Sequence, residues 1–163
     1  MTARGRARRS GGVFIGPSTV ESGARVLSEA LGLFAGGSVE MIAPGTPRAD
    51  VRARMARAAY LVLPNLSYEV LPRQLIEAFA HSLPVIASRL AGLADLVEPG
   101  RNGLLFEPGS ARDLARRLAW AEAFPEKMRQ MGECAQADYQ RRFGADWGYQ
   151  RMFGERRRYA RAM

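Results

Sequence analysis

Cysteine, histidine and lysine each occur only once in this chain of 163 residues, as Cys134, His81 and Lys127. A single cysteine cannot form an intrachain disulfide, and no group of residues has the spacing of a metal site, so we expect neither a disulfide framework nor a bound metal. No apolar run approaches the roughly 20 residues that span a bilayer. Residues 1–10 are rich in arginine, but no apolar stretch follows them, so we expect no secretory signal here. We therefore expect a cytoplasmic domain with an ordinary hydrophobic core.

The two scarce reactive side chains carry no clear chemistry. His81 follows the apolar face of a predicted helix, which favours a packing or capping role over that of a base. Cys134 has no second cysteine and no nearby histidine, so we assign no nucleophile.

Arginine supplies almost all of the net charge of +8. Much of the excess lies in two terminal clusters, Arg4, Arg6, Arg8 and Arg9 at one end and Arg156, Arg157, Arg158 and Arg161 at the other. Such clusters are typical of solvated tails, of contacts with anionic membranes, or of nucleic-acid binding. Aromatic residues are not interleaved with the arginines as stacking platforms for bases would be, so we expect no nucleic-acid partner. Two alternatives remain for the basic tails: they are exposed to solvent, or they contact a membrane peripherally.

Short apolar runs alternate with segments of helical spacing along the chain. Residues 1–12 read as a basic disordered tail, and 13–163 as one domain in which 144–163 form a closing helix. The predicted strands are 13–15, 39–42, 60–63, 84–87 and 104–106. The predicted helices are 22–34, 50–59, 72–82, 93–97, 113–123 and 126–143. Continuously apolar strands alternating with helices predict an α/β fold, a Rossmann-like parallel sheet with helices on both faces.

Ligands of such sheets bind at the carboxyl ends of the strands. The loops that begin there start at Gly16, Pro64, Ser88 and Phe106. We expect the strands at 60–63, 84–87 and 104–106 to be adjacent inner strands, because each is continuously apolar.

The densest chemical signal follows the strand at 60–63. Glu69 lies in the loop, Pro72 suits the first position of a helix, and Glu77 lies over one turn further on, four residues after Arg73. The free amides of the first helical turn form an anion site, and carboxylates accept hydrogen bonds from paired hydroxyls. A nucleoside diphosphate would fit, with its phosphates at the helix start and its ribose at Glu77.

This segment resembles the E-x7-E motif of the family-four retaining glycosyltransferases and their relatives with the GT-B fold. Glu69 and Glu77-Ala78 are followed by the five residues 84–88, which read Pro-Val-Ile-Ala-Ser. Ala91-Gly92 then stands where the family has a Gly-Gly loop, followed by Asp-Leu-Val at 95–97 and Gly-Arg-Asn-Gly-Leu at 100–104. The resemblance covers 60 to about 143, and this ordered run of motifs is far more specific than a lone E-x7-E.

The resemblance implies one half of a GT-B enzyme, the half that binds a nucleotide-sugar donor. Glu69 would hold the donor sugar as the catalytic residue, and Glu77 would hold the ribose. Amides near Val70, Leu71 and Arg73 would meet the diphosphate, and Gly16 and Gly92 would line the same site. Transfer would retain the anomeric configuration and use neither metal nor cofactor.

Departures from the family pattern concern the phosphates and the second half. The family has Gly-Arg-Leu after its first strand and then Glu-Lys-Gly, whereas this chain has Gly16-Pro17-Ser18 and Glu21-Ser22-Gly23. Both cations are missing, and Arg25 or Arg73 are the candidates to replace them. The stretch 34–50 is short by about one βα unit, and we expect no acceptor-binding partner domain within these 163 residues.

Two alternatives therefore accompany the enzyme interpretation. Glu77 and Arg73 could be no more than a surface pair worth about 0.2–0.5 kcal/mol. In the enzyme interpretation, which is hexosyl transfer from a nucleotide sugar, an acceptor-binding domain in another chain would be the missing partner. The other alternative is a truncated module that binds a nucleotide sugar without turnover.

Overall fold

The computed structural model describes residues 8–68 and 72–143. Its strands are β1 (Gly12–Ile15), β2 (Val39–Ile42), β3 (Tyr60–Leu63), β4 (Val85–Ser88) and β5 (Gly103–Phe106). They form one sheet in the order β2-β1-β3-β4-β5, and every pairing is parallel. The predicted fold class, a Rossmann-like parallel sheet with helices on both faces, is confirmed.

Strands β3, β4 and β5 are buried at every position, as their continuous apolar sequences predict. They are adjacent and parallel, which confirms that part of the prediction. The prediction that all three are inner strands is wrong, because β5 is the last strand of the described sheet. Its side chains are still buried because helices cover it, so a continuous apolar run does not distinguish a central strand from a covered edge strand.

The described helices are α1 (Ala24–Leu33), α2 (Arg48–Arg57), α3 (Arg73–Ala80), α4 (Ala111–Ala123) and α5 (Pro125–Phe143). Met55 of α2 and Phe79 of α3 pack in the core on one face of the sheet. Leu27 of α1 and Leu118 of α4 pack in the core on the other face. In the described part of the chain, no helix combines the length and the apolar character that crossing a membrane requires.

The helix predicted at 93–97 is wrong. The chain there forms hydrogen-bonded turns, with the amides of Leu96 and Val97 both donating to the carbonyl of Leu93. Leu93 and Val97 are buried as the apolar spacing predicts. A segment this short gains too few backbone hydrogen bonds to offset the cost of starting a helix, so side-chain anchors hold it instead.

Helix α5 passes from one face of the sheet to the other across its amino edge. Met128 and Met131 belong to the core beside α1 and α4, whereas Ala135 and Phe143 belong to the opposite core. At the crossing, a Cβ on Gly132 would lie 2.3 Å from the carbonyl oxygen of Ser82. Only glycine permits that approach, although glycine within a helix costs about 1 kcal/mol relative to alanine.

Strand β3 is also fixed to helix α4 by a buried tyrosine. The Tyr60 hydroxyl donates a 2.8 Å hydrogen bond to Glu122, and burial, supported by that contact, raises the pKa of Tyr60. A Cβ on Gly12 would lie 2.2 Å from the Tyr60 ring, so β1 can lie beside the ring only because residue 12 is glycine.

Strand β2 forms the other end of the described sheet. Its Glu40 and Met41 are exposed, in contrast to the fully buried β5. Arg54 of α2 pairs with Glu40 at 3.1 Å. Between α1 and α2 the structure contains this strand alone.

The first described residues make defined contacts although they belong to the predicted tail at 1–12. The Arg9 guanidinium donates to the carbonyls of His81 and Ser82 at 3.0 and 3.1 Å, and the Ser10 amide donates to Arg57. Gly12 already belongs to β1. The closing helix predicted at 144–163, with the C-terminal basic cluster, lies outside the described residues.

Candidate functional site

The strand order places a topological switch point between β1 and β3. From β1 the chain moves outward to β2, and it then returns across β1 to continue through β3, β4 and β5. Connections on the two sides of a switch point leave in opposite directions, which opens a crevice at the carboxyl ends of the strands. The loops after β1 and β3 therefore border the candidate site.

The loop after β1 is held by its own polar groups. The amide of Gly16 donates to the carbonyl of Ile42 at 3.1 Å, which extends the pairing of β1 with β2. The Ser22 hydroxyl lies 2.6 Å from the Pro17 carbonyl and 2.8 Å from that of Thr19, and it accepts from the Ala24 amide at 3.3 Å. The segment that lacks the family's cations is thus an internally hydrogen-bonded turn.

The loops after β1 and β3 are locked together. Gly23 has a φ of 75°, and a Cβ on it would lie 1.8 Å from the carbonyl oxygen of Pro64. Two residues beyond Pro64, the Leu66 amide donates to the Glu21 carbonyl at 2.9 Å. These contacts hold the loops after β1 and β3 together. Sequence reasoning missed them, and the glycine before a helical pattern was the only signal.

Helix α3 begins at the same edge of the sheet. Its first backbone hydrogen bond runs from the Ile76 amide to the Pro72 carbonyl, so the amides of residues 73–75 have no partner within the helix. The cap residue offers them no side-chain hydrogen bond, and no acidic residue lies in the first turn. Gln74 donates to the Ile15 carbonyl at 3.0 Å, which ties the helix start to the end of β1.

One detail of this helix start differs from the sequence prediction. Pro72, expected at the first helical position, is the cap residue instead, with φ −77° and ψ 84°. Its extended ψ turns the chain into the helix, which begins at Arg73.

The predicted site residues are only partly described. Glu69, Val70 and Leu71 lie outside the described residues, so their predicted roles stay predictions. Arg73 is exposed and Glu77 is half-buried on the same helix. Among the described ion pairs none joins Arg73 to Glu77, so the structure gives no support to the surface-pair alternative for these two residues.

Of the arginines near the crevice, Arg25 is already engaged. Its side chain is 86% exposed and pairs with Glu29 one turn along α1, an arrangement that is worth little in solvent. Arg73 forms no ion pair within the described chain. Arg89, which sequence reasoning missed, is exposed directly after β4 and is likewise unpaired in the described part. Its position after a strand that neighbours β3 could have indicated it.

The end of β4 contributes a second set of polar groups. Ser88 is fully buried, and its hydroxyl has no hydrogen-bond partner in the described structure. Gly92 has a φ of 90°, and its amide donates to the Asp95 carboxylate at 3.3 Å. The loop after β4 thus turns back near the crevice through a left-handed glycine.

The opposite edge of the sheet differs from the crevice. A cavity of about 540 Å³ lies there beside α5, lined in part by Arg9, Ser82, Pro84 and Glu126. Within 8–68 and 72–143 no three or more His, Cys, Asp or Glu residues cluster in a way that could hold a metal ion.

Comparisons with known proteins agree with this architecture. An exopolysaccharide phosphotransferase of Streptomyces coelicolor is 32% identical over 123 residues, which is 75% of this chain and 12% of that protein. The crystal structure of Anabaena HepE in complex with UDP-glucose superposes with a TM-score of 0.73 at 19% identity, covering 98% of this chain and 50% of that one. This chain therefore spans only part of these two proteins.

One solved structure of an isolated domain is matched over nearly its whole length by this chain. The C-terminal domain of a group 1 glycosyl transferase from Francisella tularensis, LpcC, superposes with a TM-score of 0.71 at 14% identity, covering 88% of this chain and 95% of that one. The sequence model of the family described as glycosyl transferases group 1 matches residues 13–138. Because that family model matches more than half of the chain, the chain belongs to the group 1 glycosyltransferase family.

Proposed function

We propose that this chain binds a nucleoside diphosphate sugar at the carboxyl edge of its sheet and is the donor-binding half of a retaining glycosyltransferase. We assign only the donor-binding half to these 163 residues, which cover about half of the HepE structure. The complexes of HepE with UDP and UDP-glucose support a nucleotide-sugar ligand for a fold of this kind.

The observation that carries the proposal is the start of α3 at the switch point, where the described residues supply no side-chain cap. Three amides there are free of helical partners, and no carboxylate of the first turn competes for them. A diphosphate at this position gains hydrogen bonds from the amides and a favourable interaction with the helix dipole. Glu77 then lies one turn along, where it would accept from the ribose hydroxyls, and Glu69 would hold the sugar.

The chemistry proposed is metal-independent transfer with retention of configuration. The departing diphosphate gains negative charge as the glycosidic bond breaks, and donors held in place beforehand stabilise that charge. Because Pro17 and Ser18 stand where the family has its first cation, Arg73 and Arg89 are the described cations that could supply this support. Both are exposed in the described structure, so donor affinity in the isolated chain should be weak.

A module without turnover is the second candidate. The turn without cations after β1 favours it. Each missing charge-assisted contact is worth about 1.5–3 kcal/mol, so two of them lower affinity by about two to four decades. We therefore expect no measurable sugar transfer by the isolated chain.

A binding experiment tests the donor site directly. Thermal shift against UDP-, GDP- and ADP-sugars should find one nucleotide that stabilises the chain, since ligand at 100 times Kd stabilises by about 2.7 kcal/mol. Calorimetry with that nucleotide should then show weaker binding by Glu77→Ala. Glu69→Ala should lower affinity for the nucleotide sugar more than for the free nucleotide.

The matched control is Glu133→Ala, which removes a glutamate from α5, a helix outside the crevice. It should bind like the wild type. Equal binding of every nucleotide sugar by the wild type, Glu77→Ala and Glu69→Ala would refute the site assignment. Robust sugar transfer by the purified chain would refute the need for a second half.

A further inference from the structure

The connection between β4 and β5 crosses the sheet without a helix. It leaves β4 at Ser88, at the edge that carries the crevice, and returns to the amino edge to enter β5 at Gly103. Its first residues, including Arg89 and Gly92, border the proposed donor site. Without the regular hydrogen bonds of a helix, such a crossover depends on side chains to fix its course.

Asn102 holds the far end of this crossover. It is buried, and its side-chain oxygen accepts from the Glu98 amide at 2.8 Å. Its side-chain nitrogen donates to the Leu96 carbonyl at 3.1 Å and to the Asp138 carboxylate at 2.8 Å. One amide side chain therefore supplies the backbone bonds that a helix would otherwise provide.

Asp138 of α5 completes the anchor. Its side chain is 3% exposed and accepts a bidentate pair from Arg101 at 2.6 and 2.8 Å. Arg141 donates to the same carboxylate at 2.8 Å. With the Asn102 contact, both oxygens of this buried charge are hydrogen-bonded, which is the condition under which a buried carboxylate holds a fixed position.

The anchor is linked to the crevice end by a short run of turns. Val97 donates to the Leu93 carbonyl, and Ala94 donates to the Leu90 carbonyl at 2.8 Å. Leu93 and Val97 are buried against the core, and Asp95 receives the Gly92 amide. Hydrogen bonds and buried side chains therefore connect the Asn102 end of the crossover to Gly92.

We infer that Asp138 is a positioning residue of the donor site, which holds Gly92 at the crevice through Asn102 and the crossover. The role in donor binding rests on the proposed function, because that function supplies the ligand. The anchoring of the crossover by Asp138 does not depend on it. Asp138 touches no ligand in this arrangement; it acts through the connection that it fixes.

The test compares Asp138→Asn with the wild-type full chain in two measurements. Hydrogen–deuterium exchange should rise about tenfold across 90–102, because charge-assisted bonds to the carboxylate are weakened. Calorimetry with UDP-glucose, GDP-mannose and ADP-glucose should show about tenfold weaker binding of whichever sugar nucleotide the wild type binds.

Two control variants separate positioning from stability. Glu126→Gln removes a carboxylate of the same helix that pairs with Arg129 at the surface, and it should change neither measurement. Leu118→Val weakens the core on the other face of the sheet and should lower Tm while leaving affinity unchanged.

The outcomes distinguish the two claims. Unchanged exchange across 90–102 in Asp138→Asn would overturn the anchor. If Asp138→Asn exchanges faster across 90–102 but binds the sugar nucleotide as tightly as Leu118→Val does, the positioning role is overturned and Asp138 is purely structural. A wild type that binds none of the three sugar nucleotides would count against the proposed function and with it the positioning role, while the exchange measurement would still decide the anchor.

Discussion

Replacing Gly23 with alanine tests the contact that joins the two crevice loops. Gly23 has φ 75°, and alanine in the left-handed region costs about 1–2 kcal/mol. The new Cβ would also lie 1.8 Å from the Pro64 carbonyl oxygen, and relieving such an overlap costs about a further 1–3 kcal/mol. We therefore expect Gly23→Ala to lose about 2–5 kcal/mol of the free energy of unfolding, equivalent to about 4–20 °C in Tm.

Gly45 provides a matched control for this substitution. It has φ 83°, and a Cβ there would meet nothing within 4 Å, so Gly45→Ala bears the backbone cost alone. The gain from a less flexible unfolded chain, about 0.4–1 kcal/mol, is common to both variants and cancels in their difference. Urea denaturation at constant pH should show Gly23→Ala less stable than Gly45→Ala by about 1–3 kcal/mol. Equal losses would mean that the loops after β1 and β3 do not touch at Gly23.

Three further predictions follow from described contacts. Arg101 and Arg141 hold the pKa of Asp138 below its ordinary value, so the stability that Asp138 contributes is present above its unfolded pKa of about 3.9 and is lost as pH falls through its lower folded pKa. When the free energy of unfolding is measured against pH, Asp138→Asn should lose less stability than the wild type below about pH 4. The same pH profile in both proteins would contradict the assignment. Gly32 lies in α1, and a Cβ there would meet nothing within 4 Å, so Gly32→Ala should raise the free energy of unfolding by about 1 kcal/mol, and a loss of stability in urea would contradict this open helix surface. Tyr60→Phe removes the bond to Glu122 while keeping the ring, and it should lower the free energy of unfolding by about 0.5–1.5 kcal/mol in the same assay. An unchanged free energy of unfolding would mean that water replaces the bond fully.

The positions of the strands along the chain follow closely from the sequence, because each depends on the residues of the strand itself. Strands β1, β3, β4 and β5 are short, mainly apolar runs with glycine or proline at one end or both, and β2 and β3 have the predicted bounds. The helix face on α3 is also correct, with Ile76 and Phe79 buried. Patterns of this kind depend on the repeat of one element and not on its neighbours.

The wrong predictions concern features that depend on residues distant in the sequence. The spacing at 93–97 is helical, yet the Leu96 carbonyl accepts from the side chain of Asn102 at the far end of the crossover. Asp138 of another helix holds Asn102 in turn. Whether β5 ends the sheet depends on which strands follow it in space, which an apolar run cannot show. The lock between Gly23 and Pro64 joins residues far apart in the chain, and no local pattern encodes it.

For the candidate site, the sequence indicated the edge of the sheet and the helix start at α3, both of which follow from strand direction and proline placement. It did not indicate Arg89, because an arginine after a strand is common on any surface. Nor did it show that Arg25 is engaged with Glu29, since a pair four residues apart on a helix is one of several options for an exposed side chain.

The exposed strand β2 has a consequence for how the chain behaves in solution. Its outer side faces no other strand in the described sheet, and an open strand edge is a template for association with a second molecule. Charged side chains on such edges ordinarily deter this, but Glu40 is neutralised by Arg54. Repulsion from the net charge of +8 is a further deterrent, which salt screens over about 10 Å at 0.1 M. Self-association should therefore grow with ionic strength, so that dilute buffers keep the chain monomeric and concentrated salt favours pairing along β2.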